Sequence, residues 1–235
     1  DVSKFMEMSV DTQFANEFTL EKKEIFQKLL LEGHLLLSFR NSIDFGTRGR
    51  NISRPTSEYT TVPVDVLERA VVGDPANAGI YRAWINHINS GTDFPKANVN
   101  KHFWKSDMTI HRCPTWMASV RMASDRVIGT ESGTDNVKGY YLADGALYTY
   151  VDGDEYTDVF PCWDWRKVPG VTCYQEDKAV HVMGWLEKQN KGSFVGNVND
   201  GVIGLTSMDL VRDGLYARKT WIFTPDYILC LGAGI

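Results

Sequence analysis

Arg48, Arg50 and Arg54 fall within seven residues of the stretch Ile43-Asp-Phe-Gly-Thr-Arg-Gly-Arg-Asn-Ile-Ser-Arg54. Guanidinium groups stay protonated and are costly to bury unpaired, so three this close together need either solvent or an anion. Gly46 and Gly49 let the backbone turn sharply and come close to a ligand. The chemistry such a loop supports is bidentate capture of a carboxylate, sulfate or phosphate. Its plain alternative is a solvated basic loop.

Other residue types narrow the choice. Trp163, Trp165 and Trp185 offer flat faces that can stack on pyranose rings or fill a core. In Trp163-Asp-Trp165 the alternation of a strand puts both indoles on one side and Asp164 on the other. Core packing is expected for that pair, and Trp185 is carried forward as a sugar contact. The five histidines form no ligand cluster and the four cysteines show no Cys-x-x-Cys spacing, so no metal site is expected. Cys162 and Cys173 either pair across a turn in an oxidising compartment or stay as buried free thiols.

Composition excludes whole classes. Hydrophobic content of 43% and charged content of 23% describe globular material. No apolar run approaches the roughly 18 residues of a membrane span. A net charge of −5 argues against a general nucleic-acid binder, so an anion site here is a local basic concentration in an acidic protein. The start Asp1-Val-Ser-Lys is not a signal peptide. Both ends look cut, as in a piece excised from something longer.

The elements that must position the loop change period near residue 95. Phe18, Ile25, Leu29, Leu30, Leu36 and Phe39 recur at helical intervals behind Thr19, a plausible N-cap. A second helix is predicted over Val64 to Val72. A third starts at Asp74 with Pro75 in its first turn and stops at Gly91. Residues 92–101 read as a linker. Beyond it, Asp-Gly pairs at 144–145, 152–153, 200–201 and 213–214 signal hairpins, with strands at 146–151, 217–223 and 227–231. Strands without intervening helices predict stacked antiparallel sheets. The domains expected are helical over 1–91 and β-sandwich over 102–235.

Four further blocks accompany the arginine loop: Trp104-Lys-Ser-Asp-Met-Thr-Ile-His-Arg112, Ser124-Asp-Arg-Val-Ile-Gly-Thr-Glu-Ser-Gly133, Lys138-Gly-Tyr-Tyr-Leu-Ala-Asp-Gly145 and Phe160-Pro-Cys-Trp-Asp-Trp-Arg-Lys-Val-Pro-Gly-Val-Thr172. In order and spacing they resemble polysaccharide lyase family 8, which cleaves chondroitin sulfates and hyaluronan, with the chondroitin AC branch most similar. The resemblance implies an α+β multidomain architecture, the end of an incomplete α/α toroid leading into an antiparallel β-sandwich. It implies a secreted or periplasmic lyase with an anionic polysaccharide as substrate, and neither nucleic acid nor membrane as partner.

It also implies roles. Arg50 and Glu131 would be catalytic, on facing walls of one cleft between the helical part and the sandwich. Arg54 would join them or only pin the loop. Arg48, Asn136 and Trp185 would contact substrate. The family's Asn, His and Tyr lie upstream of the arginine block, so the remainder of a parent chain would supply them, and this chain would be inactive alone. None of His34, His87, His102, His111 or His181 falls in that position, and His111 is expected to be a packed or surface residue rather than a base. After Glu131 the family pattern has an Asn three residues on, where this chain has Thr134; the Asp135-Asn136 pair makes Asn136 the better match. No cofactor is expected; calcium assists some relatives, and nothing in the sequence argues for it here. The alternative from another class is a non-catalytic glycan-binding module. An Asn, then a His and a Tyr about nine residues apart, upstream of Asp1 would favour the enzyme.

Overall fold

Alternation of apolar and polar residues along Gly204–Arg212 and Leu215–Phe223, with Asp213-Gly214 between them, produces the longest hairpin of the chain. Both turn residues have positive φ, which Asp tolerates and Gly adopts freely. The computed structural model describes residues 1–54, 57–59, 61–94, 98–133, 136–183 and 190–235. It divides into two units, one of residues 1–43 and 61–95, the other of residues 44–60 and 96–235.

The first unit is helical: α1 (Val2–Ser9), α2 (Leu20–Lys28), α3 (Val64–Gly73) and α4 (Ala78–Asn89), with a two-residue ladder of β1 (Ser38–Phe39) and β2 (Ser42–Ile43). Its core gathers Met6, Phe26, Leu30, Leu67, Tyr81 and Trp84. Thr19 caps α2, accepting from the Lys22 N–H at 3.4 Å. The apolar face differs from the expected one: Ile25 and Leu29 are exposed, while Phe26 and Leu30, four apart, are buried. A π-helical stretch over Leu29–His34 then adds a residue per turn and rotates the stripe towards Leu35 and Leu36. Asp74 makes no capping bond; its carboxylate accepts from Tyr81 Oη and Asn77 Nδ2, and Pro75–Asn77 form a 3₁₀ turn ahead of α4. α1 carried no sequence signal that was read. At Gly73 an added Cβ would stand 2.7 Å from Met6 Cβ, so α3 ends where only glycine lets it lie against α1.

The second unit is built on two four-stranded antiparallel sheets. One runs in the order β3 (Val99–Phe103), β4 (Met108–Arg112), β5 (Met117–Arg121), β6 (Ala146–Tyr150). The other runs β10 (Ile228–Ala233), β9 (Leu215–Phe223), β8 (Gly204–Arg212), β7 (Val195–Asn199). Ala118, Val120 and Met122 of the first sheet share a core with Met208, Leu210, Ala217, Trp221 and Phe223 of the second. Between the sheets, Thr109 and Thr206 are hydrogen bonded at 2.9 Å. His111 is packed, stacked on Phe223 with Nε2 bonded to the Thr224 carbonyl, and burial lowers its pKa.

Three details depart from the sequence reading. β3 begins at Val99, inside the stretch read as linker, because Val99–Phe103 finds a full ladder on Met108–Arg112. Of the four Asp-Gly pairs, only those at 200–201 and 213–214 join paired strands. The 152–153 pair instead sits in a loop whose N–H groups at Asp152 and Gly153 donate to the Glu155 carboxylate. The four cysteines are free; Cys113 is buried, whereas Cys162 and Cys230 are exposed. Among the described residues no helix is long and apolar enough to cross a membrane.

Candidate functional site

The arginine loop belongs to the sheet-bearing unit, although the chain on both sides of it is helical. The cause is Phe45. Its ring lies 5.2 Å from Tyr148, 5.3 Å from Tyr156, 5.9 Å from Phe160 and 5.2 Å from Trp163. Aromatic clusters of this kind combine large apolar burial with preferred ring geometries. The Phe45 N–H donates to Tyr150 Oη at 2.5 Å. Asp44, fully buried, accepts from Ser119 Oγ at 2.6 Å. Burial pushes its carboxyl up to about 6, against the opposing pull of Ser119, Tyr150 and Arg48.

The indoles of Trp163-Asp-Trp165 serve this clasp. Their rings are 5.5 Å apart, and Trp165 is buried. Both pack within this clasp, Trp163 half-buried and Trp165 buried, in irregular chain rather than on a strand. Trp185 lies outside the described residues.

From this base the loop distributes its three arginines differently. Arg48 lies over the Phe45 ring at 5.2 Å and donates to the Ser57 carbonyl, so it is half-buried and turned to its own loop. Arg50 sits on the 3₁₀ turn Gly49–Ser53 and reaches outward, with Nη1 at 3.1 and 3.4 Å from the two carboxylate oxygens of Glu131. Both side chains stay accessible, 43% and 39% exposed. Arg54 ends the turn; its backbone N–H donates to the Asn51 carbonyl and its side chain is exposed. Arg50 and Glu131 were expected on facing walls of a cleft between the helical part and the sandwich; instead both belong to the sheet-bearing unit, where they form a direct ion pair.

Glu131 is held by backbone and neighbours. Asn136, 1% exposed, donates from Nδ2 to the Glu131 carbonyl at 2.9 Å. An amide so placed fixes the loop and has no surface to offer a sugar. An added Cβ at Gly139 would fall 2.0 Å from Asn136 Nδ2, so that residue must be glycine for the amide to lie there. Ser132 Oγ accepts from the Met183 N–H, and Arg121 Nη2 donates to the Gly129 carbonyl. Ser119 and Arg121 were missed by the sequence reading. Two residues apart on a strand, they share a face, which is the signal that could have found them.

A cavity of about 500 Å³ lies elsewhere in this unit, lined by Tyr140, Tyr141, Arg166, His181, Arg212 and Asp213 among others. Neither Arg50 nor Glu131 lines it, and cavity volume does not locate the arginine–glutamate pair. Among the described residues no group of three or more His, Cys, Asp or Glu is assembled for a metal ion.

What this pair can do is a matter of charge. A half-exposed guanidinium oriented by a carboxylate presents a fixed positive charge where a negative one can develop, and Glu131 restricts its rotation without burying it. Residues 98–235 match the family model described as polysaccharide lyase family 8, super-sandwich domain. The chain is 34% identical to chondroitinase-AC of Pedobacter heparinus over 240 aligned residues, which cover 96% of this chain and 32% of that protein. It is 30% identical over 148 residues to hyaluronate lyase of Thermasporomyces composti, covering 60% of this chain and 19% of that one. A solved chondroitinase AC lyase, determined in complexes with oligosaccharides, superposes with a TM-score of 0.90 at 31% identity, covering 99% of this chain and 35% of that one. The chain spans about a third or less of the length of these relatives.

Proposed function

Because the chain belongs to polysaccharide lyase family 8, we propose that it forms part of the active site of a lyase that cleaves chondroitin sulfate or hyaluronan by β-elimination. The observation that carries this reading is the accessible Arg50–Glu131 pair, made between residues 81 positions apart. In the elimination a base removes the C5 proton of the uronic acid, a C4–C5 double bond forms, the C4–oxygen bond breaks, and the leaving oxygen takes a proton. The C5 proton is weakly acidic while the neighbouring carboxylate is charged, so that carboxylate must be neutralised and the developing enolate stabilised.

In this reading Arg50 stands beside the leaving oxygen and the catalytic tyrosine, whose pKa a nearby cation lowers. Glu131 holds Arg50 in that direction. Asn136 acts through Glu131, Arg48 keeps the loop's shape, and Arg54 meets the anionic polymer at the surface. The tyrosine, and the Asn and His that neutralise the carboxylate, come from other parts of the parent chain. On the scale of that parent, the helical residues are the end of an incomplete α/α toroid and the paired sheets are the beginning of an antiparallel β-sandwich. The helical and sheet-bearing units, with residues 44–60 belonging to the second, support a parent built of two such domains. A polymer substrate outside the cell implies secretion or a periplasmic location.

The test is to incubate the full-length protein with chondroitin sulfate and with hyaluronan and follow the ultraviolet absorbance of the unsaturated uronide. The 235-residue chain alone is expected to give none, because groups that act as a unit lose nearly everything when some are absent. Binding of both polymers by the full-length protein without any absorbance would replace the lyase by a glycan-binding module.

A further inference from the structure

Strand β5 divides its side chains between two jobs. Ala118, Val120 and Met122 enter the core between the sheets. Met117, Ser119 and Arg121 point the other way, and there two of them hold loops. Ser119 Oγ donates to the Asp44 carboxylate at 2.6 Å, at the root of the arginine loop. Arg121 donates from Nη1 to the Ser106 carbonyl at 2.5 Å and from Nη2 to the Gly129 carbonyl at 2.9 Å, two residues before Glu131. Thus one face of one strand grips both halves of the Arg50–Glu131 pair.

We infer that Ser119 and Arg121 are positioning residues that together set the gap across which Arg50 meets Glu131. The inference rests on the reading of that pair as part of a lyase site. Its physical basis is the stiffness of a central strand. β5 is paired on both sides, with Ser119 opposite Ile110 of β4 and Tyr148 of β6. Residues i and i+2 on such a strand stand about 7 Å apart on one face, and the strand cannot slip by one residue against its neighbours without turning every side chain to the wrong face.

Each grip is reinforced locally. On the arginine side, Tyr148, the cross-strand partner of Ser119, packs its ring at a tilt against Phe45, and Tyr150 accepts from the Phe45 N–H. On the glutamate side, Gly129 has φ +84, a turn that a non-glycine residue resists, and Asn136 holds the Glu131 carbonyl. The two grips also share a field. Arg121 is deeply buried, which lowers its pKa, and the nearby Asp107 and Asp44 oppose that shift. A fork is needed at 121, because two carbonyls from different loops are held by different nitrogens of one rigid plane. Lysine, a single point charge, would have to serve both through one atom.

A group aimed at the transition state must keep its direction to within fractions of an ångström. Loosening the ruler should therefore lower kcat while leaving KM nearly unchanged. The experiment measures both constants on chondroitin sulfate for the full-length protein and its Ser119→Ala, Arg121→Lys, Arg121→Gln and Arg50→Lys variants. We expect Arg121→Gln to lower kcat roughly ten-fold or more, Arg121→Lys to recover part of it, and Ser119→Ala to lower kcat several-fold. In the Arg50→Lys background Ser119→Ala should add little, because it acts through Arg50. Full additivity, or losses carried by KM, would overturn the inference. If Arg50→Lys itself leaves kcat unchanged, the lyase role of Arg50 fails and the ruler is judged by hydrogen exchange instead. That measurement uses the 235-residue chain with Ser119→Ala. Faster amide exchange confined to Gly49–Ser53, with β8 unchanged, supports the ruler, and a uniform rise throughout the sheets overturns it.

Discussion

Two arginine–carboxylate pairs in the sheet-bearing unit use the same chemistry to opposite ends. Arg212 and Asp144 are in contact at 3% and 0% side-chain exposure, while Arg50 and Glu131 meet at 43% and 39%. The buried pair is surrounded by specific supports. Arg212 lies 3.6 Å over the Tyr140 ring and donates to the Tyr140 carbonyl. Burial nevertheless raises the Asp144 carboxyl to about 6, even with Arg212 beside it. Such a pair is costly to ionise and more costly to break singly. The exposed pair is worth only about 0–1 kcal/mol to the fold, because water competes for both partners. A guanidinium that must offer its charge to a substrate is one on whose burial the fold cannot depend.

The contrast can be broken from either end. Arg212→Ala should produce the largest change, a loss of about 3–5 kcal/mol as Asp144 is left buried and unpaired. For a chain of this size, that is a drop of roughly 6–20 °C in Tm by calorimetry. A normal melting point would mean the pair is not what the surrounding structure leans on. Arg50→Ala in the full-length protein should do the reverse. It should lower kcat/KM by roughly 10²–10³-fold, the scale of removing one preorganised donor, with Tm shifted by no more than a degree or two.

Asn136→Ala sits between these. It strands the Glu131 carbonyl and should lower stability by about 1–2 kcal/mol and activity several-fold, read from denaturant curves and from kcat together. Stability lost without activity would make Asn136 purely structural.

Another effect concerns pH. Asp44 has its folded pKa raised from 3.8 to about 6, so the folded state holds the proton more tightly than the unfolded chain. The stability this contributes is fully present below pH 3.8 and is lost as pH rises through about 6. Asp44→Asn removes that term. The stability of the wild type relative to Asp44→Asn should therefore fall between about pH 4 and pH 6 and level off above, at ~1.4 kcal/mol per pKa unit. A flat difference would mean that Asp44 does not titrate there. The smallest change is expected for Arg54→Ala, which should weaken oligosaccharide binding at low salt and leave it unaltered at high salt, where exposed charges are screened.

How far these features were legible depends on the range of the forces behind them. Local signals served well: Val64 to Val72 became α3, Asp213-Gly214 turned a hairpin, and the Thr-Pro-Asp stretch after Phe223 separated two strands. Arg50 and Glu131 were singled out because resemblance to a family carried them, and the two are in contact, within one unit rather than across two. What escaped was held by partners remote in sequence. Phe45 is drawn to the sheets by rings at 148, 156, 160 and 163, and no periodicity in residues 30–60 announces that. Asn136, expected to contact sugar through its match to the family's acidic-Asn pair, instead spends its amide on the Glu131 carbonyl five residues before it. Ser119 and Arg121 look like ordinary alternation on a strand until the loops they hold are in place.

The excursion of residues 44–60 bears on how this architecture can be taken apart. A chain begun at Val99, near the start of the family match, would contain both sheets and Glu131 but no Phe45. Tyr148, Tyr156 and Trp163 would then face an aromatic-sized hole, and the Asp44 partner of Ser119 would be gone. The sheet-bearing part is therefore not a transplantable cassette. Exchange between relatives, by recombination or by design, must carry two separate stretches together, and a crossover placed anywhere between residues 60 and 96 would match one protein's arginine loop to another protein's aromatic socket.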